Sequence, residues 1–177
     1  DHYRPAAMAC MGADFGDDGK FLGWDARVVA PSVMNTMVGV MLPVMLPRWA
    51  PLGVGSVIEP LVARYDPTLT EGVDSIPYTI PRVRVEGLVW DPGIPVGVWR
   101  SVGHSQNAFF SEGFVDEVAH ALGEDPVRFR LSRLPADSRV RGALELLVAQ
   151  GGWGSAPPGI YQGLCLIHTP RPPRPRR

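Results

Sequence analysis

From residue 20 to residue 30, polar and apolar side chains alternate around Phe21, Leu22, Trp24, Ala26, Val28 and Val29. That is the two-residue period of a strand with one face on a core. Residues 6–14 read as its partner. Gly16-Asp17-Asp18-Gly19 reads as the turn between them, because glycine reaches positive φ cheaply and aspartate bonds nearby backbone. A second strand signal covers residues 78–90, with Val83, Val85, Leu88 and Val89 as its apolar positions, and Asp91-Pro92-Gly93 closes it with a turn. The period then changes. From Gln106 to Leu122 apolar residues recur at Phe110, Phe114, Val118 and Ala121–Leu122, which is helical spacing. Ser105 is the expected N-cap and Gly123 the expected stop. Asp125-Pro126 predicts the start of a second helix, and a third is predicted from about Arg139 to Gln150, ended by Gly151.

Between the strand signals lies a stretch with no clear period. Pro31, Pro43, Pro47, Pro51, Pro60 and Pro67 punctuate a Met- and Val-rich run over residues 31–76. Prolines at that density predict a packed, mostly irregular connection rather than a long helix. It reads either as cover over a sheet or as the wall of a binding cavity. Strands followed by three helices predict an α+β fold, with antiparallel or mixed strands leading into a helical connector.

Composition narrows the function classes. Of 177 residues, 45% are hydrophobic, enough for a sizeable core, while 20 glycines and 19 prolines predict many turns. The formal charge is −1, so the whole chain offers no electrostatic case for nucleic acid or an anionic membrane. The longest apolar stretch, Met37 to Leu46, is too short to span a bilayer. The cysteines, Cys10 and Cys165, lie far apart in no CxxC pattern and read as buried thiols. His2, His104, His120 and His168 show no metal-ligand spacing. The chain opens on Asp1-His2-Tyr3-Arg4-Pro5, which reads as the interior of a longer sequence. It closes on Thr169-Pro170-Arg171-Pro172-Pro173-Arg174-Pro175-Arg176-Arg177. That tail is expected to be polyproline-like, and reads as out-of-frame coding or, alternatively, as a basic ligand for an SH3-type groove.

Candidate chemistry concentrates at one junction. Pro95-Val96-Gly97-Val98-Trp99-Arg100-Ser101-Val102-Gly103-His104-Ser105-Gln106-Asn107 places an arginine, two glycines and several polar groups just ahead of a helix N-terminus. Free N–H groups and the positive end of the dipole suit an anion or an oxo ligand there. Gly97 and Gly103 would let backbone approach a ligand closely. The same pattern is also that of a capped helix after a turn, so the residues alone leave both readings open.

The run Val96-Gly97-Val98-Trp99-Arg100-Ser101-Val102-Gly103-His104-Ser105 and its continuation from Asn107 to Glu117 resemble the molybdopterin-binding subunit of isoquinoline 1-oxidoreductase-type molybdenum hydroxylases. Asp125-Pro126-Val127-Arg128-Phe129-Arg130, Tyr3-Arg4-Pro5-Ala6, Glu71-Gly72-Val73-Asp74 and Pro77-Tyr78 belong to the same pattern, which covers residues 1–163. In the wider family, which includes xanthine dehydrogenases and aldehyde oxidases, the loop reads aromatic–Arg–Gly–aromatic–Gly–x–Pro–Gln. Trp99, Arg100, Gly103 and Gln106 match it, while Ser101 replaces a glycine and Val102 an aromatic.

The resemblance implies a partial molybdopterin-binding domain and a molybdenum–pterin cofactor, as the cytosine dinucleotide. It implies hydroxylation of an N-heteroaromatic or an aldehyde with oxygen from water, and a small 2Fe-2S partner subunit. It makes Trp99, Arg100, Ser101, Val102, Gly103 and Gln106 the cofactor-side residues. By the same resemblance, residues 1–123 are the C-terminal part of a first molybdopterin domain, 124–154 a helical connector, 155–168 the start of a second domain, and 169–177 a disordered basic tail. The family's glycine-rich cofactor segment and its general-base glutamate lie outside this stretch, so no catalytic residue and no metal ligand is expected here. Glu112, Glu117 and Glu145 are expected to be solvated or salt-bridged. The alternative reading is a truncated remnant that binds no cofactor. The compartment, bacterial cytoplasm or periplasm, stays open.

Overall fold

The computed structural model describes residues 2–47 and 66–166. Residues 48–65 of the proline-punctuated connection and the basic tail lie outside the described residues. Strands β1 (Met8–Phe15) and β2 (Phe21–Ala30) form the hairpin that the alternation predicts. They pair antiparallel, with Met8 opposite Val29 and Ala13 opposite Trp24. The turn is closed by Gly19 N–H on Gly16 O at 2.8 Å, with Gly19 at φ 75°. Strand β3 (Arg82–Val89) then lies parallel to β2, giving a three-stranded mixed sheet in the order β1-β2-β3.

Register decides what each face carries. Trp24, Ala26 and Val28 point inward beside Ala13, Met11 and Ala9 of β1 and Val83, Val85 and Gly87 of β3. Val73, fully buried, seals Ala26 and Val28. On the outer face Arg27 pairs with Glu86 at 3.2 Å, Arg84 with Glu86, and Arg82 with Asp14. One row of that face, Met8–Val29–Leu88, is apolar. Cys10 stands on this outer face and Cys165 is also exposed, which corrects the expectation of two buried thiols.

The largest correction falls between the strands. Residues Val33–Met45 form a helix, α1, where an irregular connection was predicted. Pro31 precedes it and Pro47 follows it, so only Pro43 lies inside, in its last turn, where it removes one main-chain hydrogen bond and leaves the turns before it intact. Its start is well capped. Ser32 Oγ accepts from Asn35 N–H at 3.0 Å, and buried Asp66 accepts from Ser32 Oγ at 2.6 Å and Met34 N–H at 3.1 Å.

Three helices follow β3: α2 (His104–Ala121), α3 (Pro126–Arg133) and α4 (Arg139–Gly151). Helix α2 ends at Gly123 as predicted, with φ 67° and Glu124 N–H on Ala119 O at 2.9 Å. It starts on Gly103 with no side-chain cap, so Ser105 is not the N-cap. Asp125 caps α3 through Val127 and Arg128, both at 3.0 Å. Helix α4 ends one residue later than predicted, on Gly152 at φ 61°. The core joins Phe21 and Trp24 of the sheet to Val115, Val118 and Ala119 of α2, Phe129 of α3 and Leu144 of α4. Among the described residues no helix is long and apolar enough to cross a membrane.

Candidate functional site

The segment entering the junction is held by the chain's own beginning. Tyr3 and Val96 form an isolated parallel bridge, with Tyr3 N–H on Pro95 O and Gly97 N–H on Tyr3 O, both at 3.0 Å. A side chain at Gly97 would stand 2.7 Å from His2 Cβ. The chain then turns on itself, with Val102 N–H on Trp99 O at 3.0 Å and His104 N–H on Ser101 O at 2.9 Å. Ser101 has φ 75° and Val102 φ 41°. Two consecutive non-glycine residues in the left-handed region cost about 1–3 kcal/mol each, and a β-branched valine there is a genuine outlier. The departure from the family pattern at Ser101 thus falls where a glycine would sit without strain.

The 66–74 segment packs against the turn. A Cβ on Gly103 would meet Thr68 O at 1.8 Å, so only glycine fits. Gly103 N–H donates to Glu71 Oε2 at 3.2 Å, and His104 Nδ1 lies 3.5 Å from the same oxygen. Asn107, with no exposed surface, donates Nδ2 to Leu69 O at 2.7 Å and to Glu71 O at 2.9 Å. The two glycines that sequence reasoning assigned to close ligand approach therefore admit this chain's own His2 and Thr68.

Two concavities flank the turn. A small one of about 10 Å³, room for one water, is lined by Arg4, Ala30, Val33, Trp99, Val102, Gly103 and Gln106, among others. Gln106 Oε1 is buried there without a hydrogen-bond partner. Arg4 sits over the Trp99 ring at 5.4 Å and donates to Ser105 Oγ at 2.6 Å. The other is an open apolar groove of about 390 Å³ between Thr36, Met37, Val40 and Met41 of α1 and Gly97–Trp99. Of the six predicted residues, Trp99, Val102, Gly103 and Gln106 converge on the small cavity. Arg100 and Ser101 are exposed and line neither space.

One cluster escaped the sequence reading. Glu112 and Arg130 are buried together, at side-chain exposures of 5% and 0%. Glu112 is therefore salt-bridged, but inside the molecule rather than in solvent. Its carboxylate accepts from Tyr78 Oη at 2.9 and 3.1 Å, from Arg130 Nη2 at 3.1 Å and from Leu166 N–H at 2.8 Å. Arg130 also donates to Asp116 at 2.5 Å and to Leu164 O at 3.3 Å. Burial raises the Tyr78 phenol well above its ordinary range, and the Glu112 charge adds to that. Burial works against the Arg130 charge, yet the hydrogen bond to Asp116 and the neighbouring carboxylates hold it above its usual value. The cluster ties β3's approach, α2, α3 and the segment after α4 into one unit. Its only sequence signal was the Glu112–Asp116 pair, four apart and so on one helix face.

No family model matches this sequence. The chain is 31% identical over 97 residues to isoquinoline 1-oxidoreductase subunit beta of Brevundimonas diminuta, a match covering 54% of this chain and 12% of that protein. Its fold is similar to aldehyde oxidoreductase from Desulfovibrio gigas, with TM-score 0.57 and 18% identity over 84% of this chain and 15% of the other. It is also similar to quinoline 2-oxidoreductase from Pseudomonas putida 86, with TM-score 0.52 and 20% identity over 82% of this chain and 18% of the other. The chain thus spans less than a fifth of each of these three proteins. Sequence match and shared fold together make this chain similar to one stretch of each of these oxidoreductases.

Proposed function

We propose that this chain supplies one wall of the molybdopterin site in the large subunit of a molybdenum hydroxylase, and that the wall is the turn from Trp99 to Gln106. The observation that carries the reading is the turn itself: two strained residues held rigidly beside a concavity that contains an unpartnered buried amide. Strain of this kind clusters at ligand clamps and active sites. The residues fit a polar cofactor. Arg4, Trp99 and Gly103 line the cavity, and Gln106 Oε1 is an acceptor still in need of a donor. Gln106, Gly103 and Trp99 would hold the group's near side. When bound, the molybdenum–pterin group, here as the cytosine dinucleotide form, supplies the redox centre for hydroxylating an N-heteroaromatic or an aldehyde with oxygen from water. This chain's part is to position and enclose. A small 2Fe-2S subunit is the proposed partner that carries electrons away.

A second reading, a remnant that binds no cofactor, is favoured by the size of the cavity. At about 10 Å³ it holds one water and no pterin, so the rest of the site has to come from other parts of a longer protein. Metal and pterin analysis of a longer protein that contains this chain separates the two. Near-stoichiometric molybdenum and pterin there, reduced by about tenfold or more in Gln106→Ala, is the expected result, since the loss of a buried polar contact carries that much. Absence of both in the longer wild-type protein assigns the remnant.

A further inference from the structure

The strained turn raises the question of what keeps it strained. A serine and a valine at positive φ relax to negative φ unless neighbouring groups over-determine them. The groups that meet the turn are few and specific. Glu71 Oε2 accepts the Gly103 N–H, the amide immediately after the strained pair. Asn107, entirely buried, holds Glu71's own carbonyl and that of Leu69, so Glu71 is fixed at its backbone as well as used at its carboxylate. Thr68 O occupies the place of the missing Gly103 side chain, which sets how close the two segments lie.

We propose that Glu71 is the positioning residue of the candidate site: acting through Gly103 N–H, and braced by Asn107, it holds Ser101 and Val102 left-handed and so fixes the face that Val102, Gly103 and Gln106 present to the cavity. The proposal rests on the reading of that turn as cofactor-side. The hydrogen bond needs an acceptor and not a charge, so a neutral acceptor of the same length satisfies it.

The test is backbone NMR on the full 177-residue chain. It reads φ at Ser101 and Val102 and the exchange rate of the Gly103 amide in wild type, Glu71→Ala and Glu71→Gln. Glu71→Ala is expected to return Val102 to negative φ and to speed Gly103 exchange by about tenfold or more, the loss of a hydrogen bond to a charged acceptor. Glu71→Gln is expected to keep positive φ at both residues. A folded Glu71→Ala chain with Val102 still at positive φ overturns the proposal, as does a Glu71→Gln chain that relaxes as fully as the alanine variant. If Glu71→Ala does not fold, adding Ser101→Gly and Val102→Gly, which remove the strain, is expected to restore folding, and failure to restore it also overturns the proposal. The cofactor reading is judged separately by metal content. A relaxed turn in Glu71→Ala with no molybdenum in wild type keeps the clamp and removes the cofactor. Loaded cofactor with an unmoved turn does the reverse.

Discussion

At the scale of single residues, glycine and its absence tell most about the junction. Ser101 sits at φ 75°, where a side chain is crowded against its own carbonyl. Replacing it with glycine relieves about 1–2 kcal/mol of left-handed strain. It also loosens the unfolded chain, which costs about 0.4–1 kcal/mol. The net expectation for Ser101→Gly is a gain of about 1 kcal/mol, read as a higher denaturant midpoint at unchanged slope. Gly103 is the opposite case. Its conformation is ordinary, with φ −65°, but a Cβ would stand 1.8 Å from Thr68 O. Gly103→Ala therefore has to push two backbone segments apart, and a loss of about 3 kcal/mol or more is expected in the same denaturation experiment. If both variants moved stability in the same direction, the assignment of strain to one position and close approach to the other would be wrong.

At the scale of elements, the buried cluster converts a side-chain pKa into a joint between helices. Tyr78 is held neutral by burial and by Glu112, so its folded pKa lies above the unfolded value of about 10. A group raised in this way contributes its full stability below the unfolded pKa and loses it as pH rises toward the folded one. Stability is thus expected to fall above about pH 10, by about 1.4 kcal/mol per pH unit. Tyr78→Phe should start lower at pH 8, having lost its hydrogen bonds to Glu112 and Arg130, yet flatten the alkaline limb. An alkaline limb equally steep in both proteins would place the titration elsewhere. Beyond the Glu112–Asp116 spacing, this joint was not visible in the chain's pattern, and the reason is physical. Caps and turns are local, so Asp125-Pro126, Gly123 and the Gly16–Gly19 turn could be read from neighbours in sequence. The buried stripe of α2 begins with Asn107, Ser111 and Glu112. Asn107 and Glu112 are polar there because their partners are loop carbonyls and Arg130, which lie 18 or more residues away, while Ser111 bonds the Asn107 carbonyl of its own helix. An apolar period cannot report such a face; it reported Val118, with Phe114 and Leu122 beside it, which do pack on the core. The parallel placement of β3 on β2 is likewise a long-range choice that alternation within β3 does not specify. The candidate turn was nominated through its resemblance to a family loop. Its strain and its clamp were not, because both depend on Thr68, Glu71 and Asn107 meeting it across the fold.

At the scale of the molecule, stability is unevenly distributed, and the unevenness follows the location of the candidate site. One end holds Trp24, Phe129 and Leu144, each at most 1% exposed, around the Glu112–Arg130 pair. The other end carries α1, in which Val33 is the one buried residue among those described, while Val40, Met41, Val44 and Met45 are more than half exposed. The apolar groove of about 390 Å³ opens on this side, and so does the exposed face of Trp99, at 48%. A helix with few buried contacts opens locally long before the core unfolds, because its opening gives up little apolar burial. Native-state hydrogen exchange is the direct measurement. Amides of α1 from Met37 to Met45, Pro43 having none, are expected to exchange at least about 100-fold faster than those of α2 from Ser111 to Ala119, a gap of some 3 kcal/mol in local opening. The capped first turn, stapled by Ser32 and Asp66, should be the slowest part of α1, so protection should decline along the helix. A larger protein that covered this side would raise α1 protection toward that of α2 and leave α2 unchanged. Uniform protection in the isolated chain would mean that α1 and the groove are already part of the cooperative core, and that the open side of the site is closed by this chain alone.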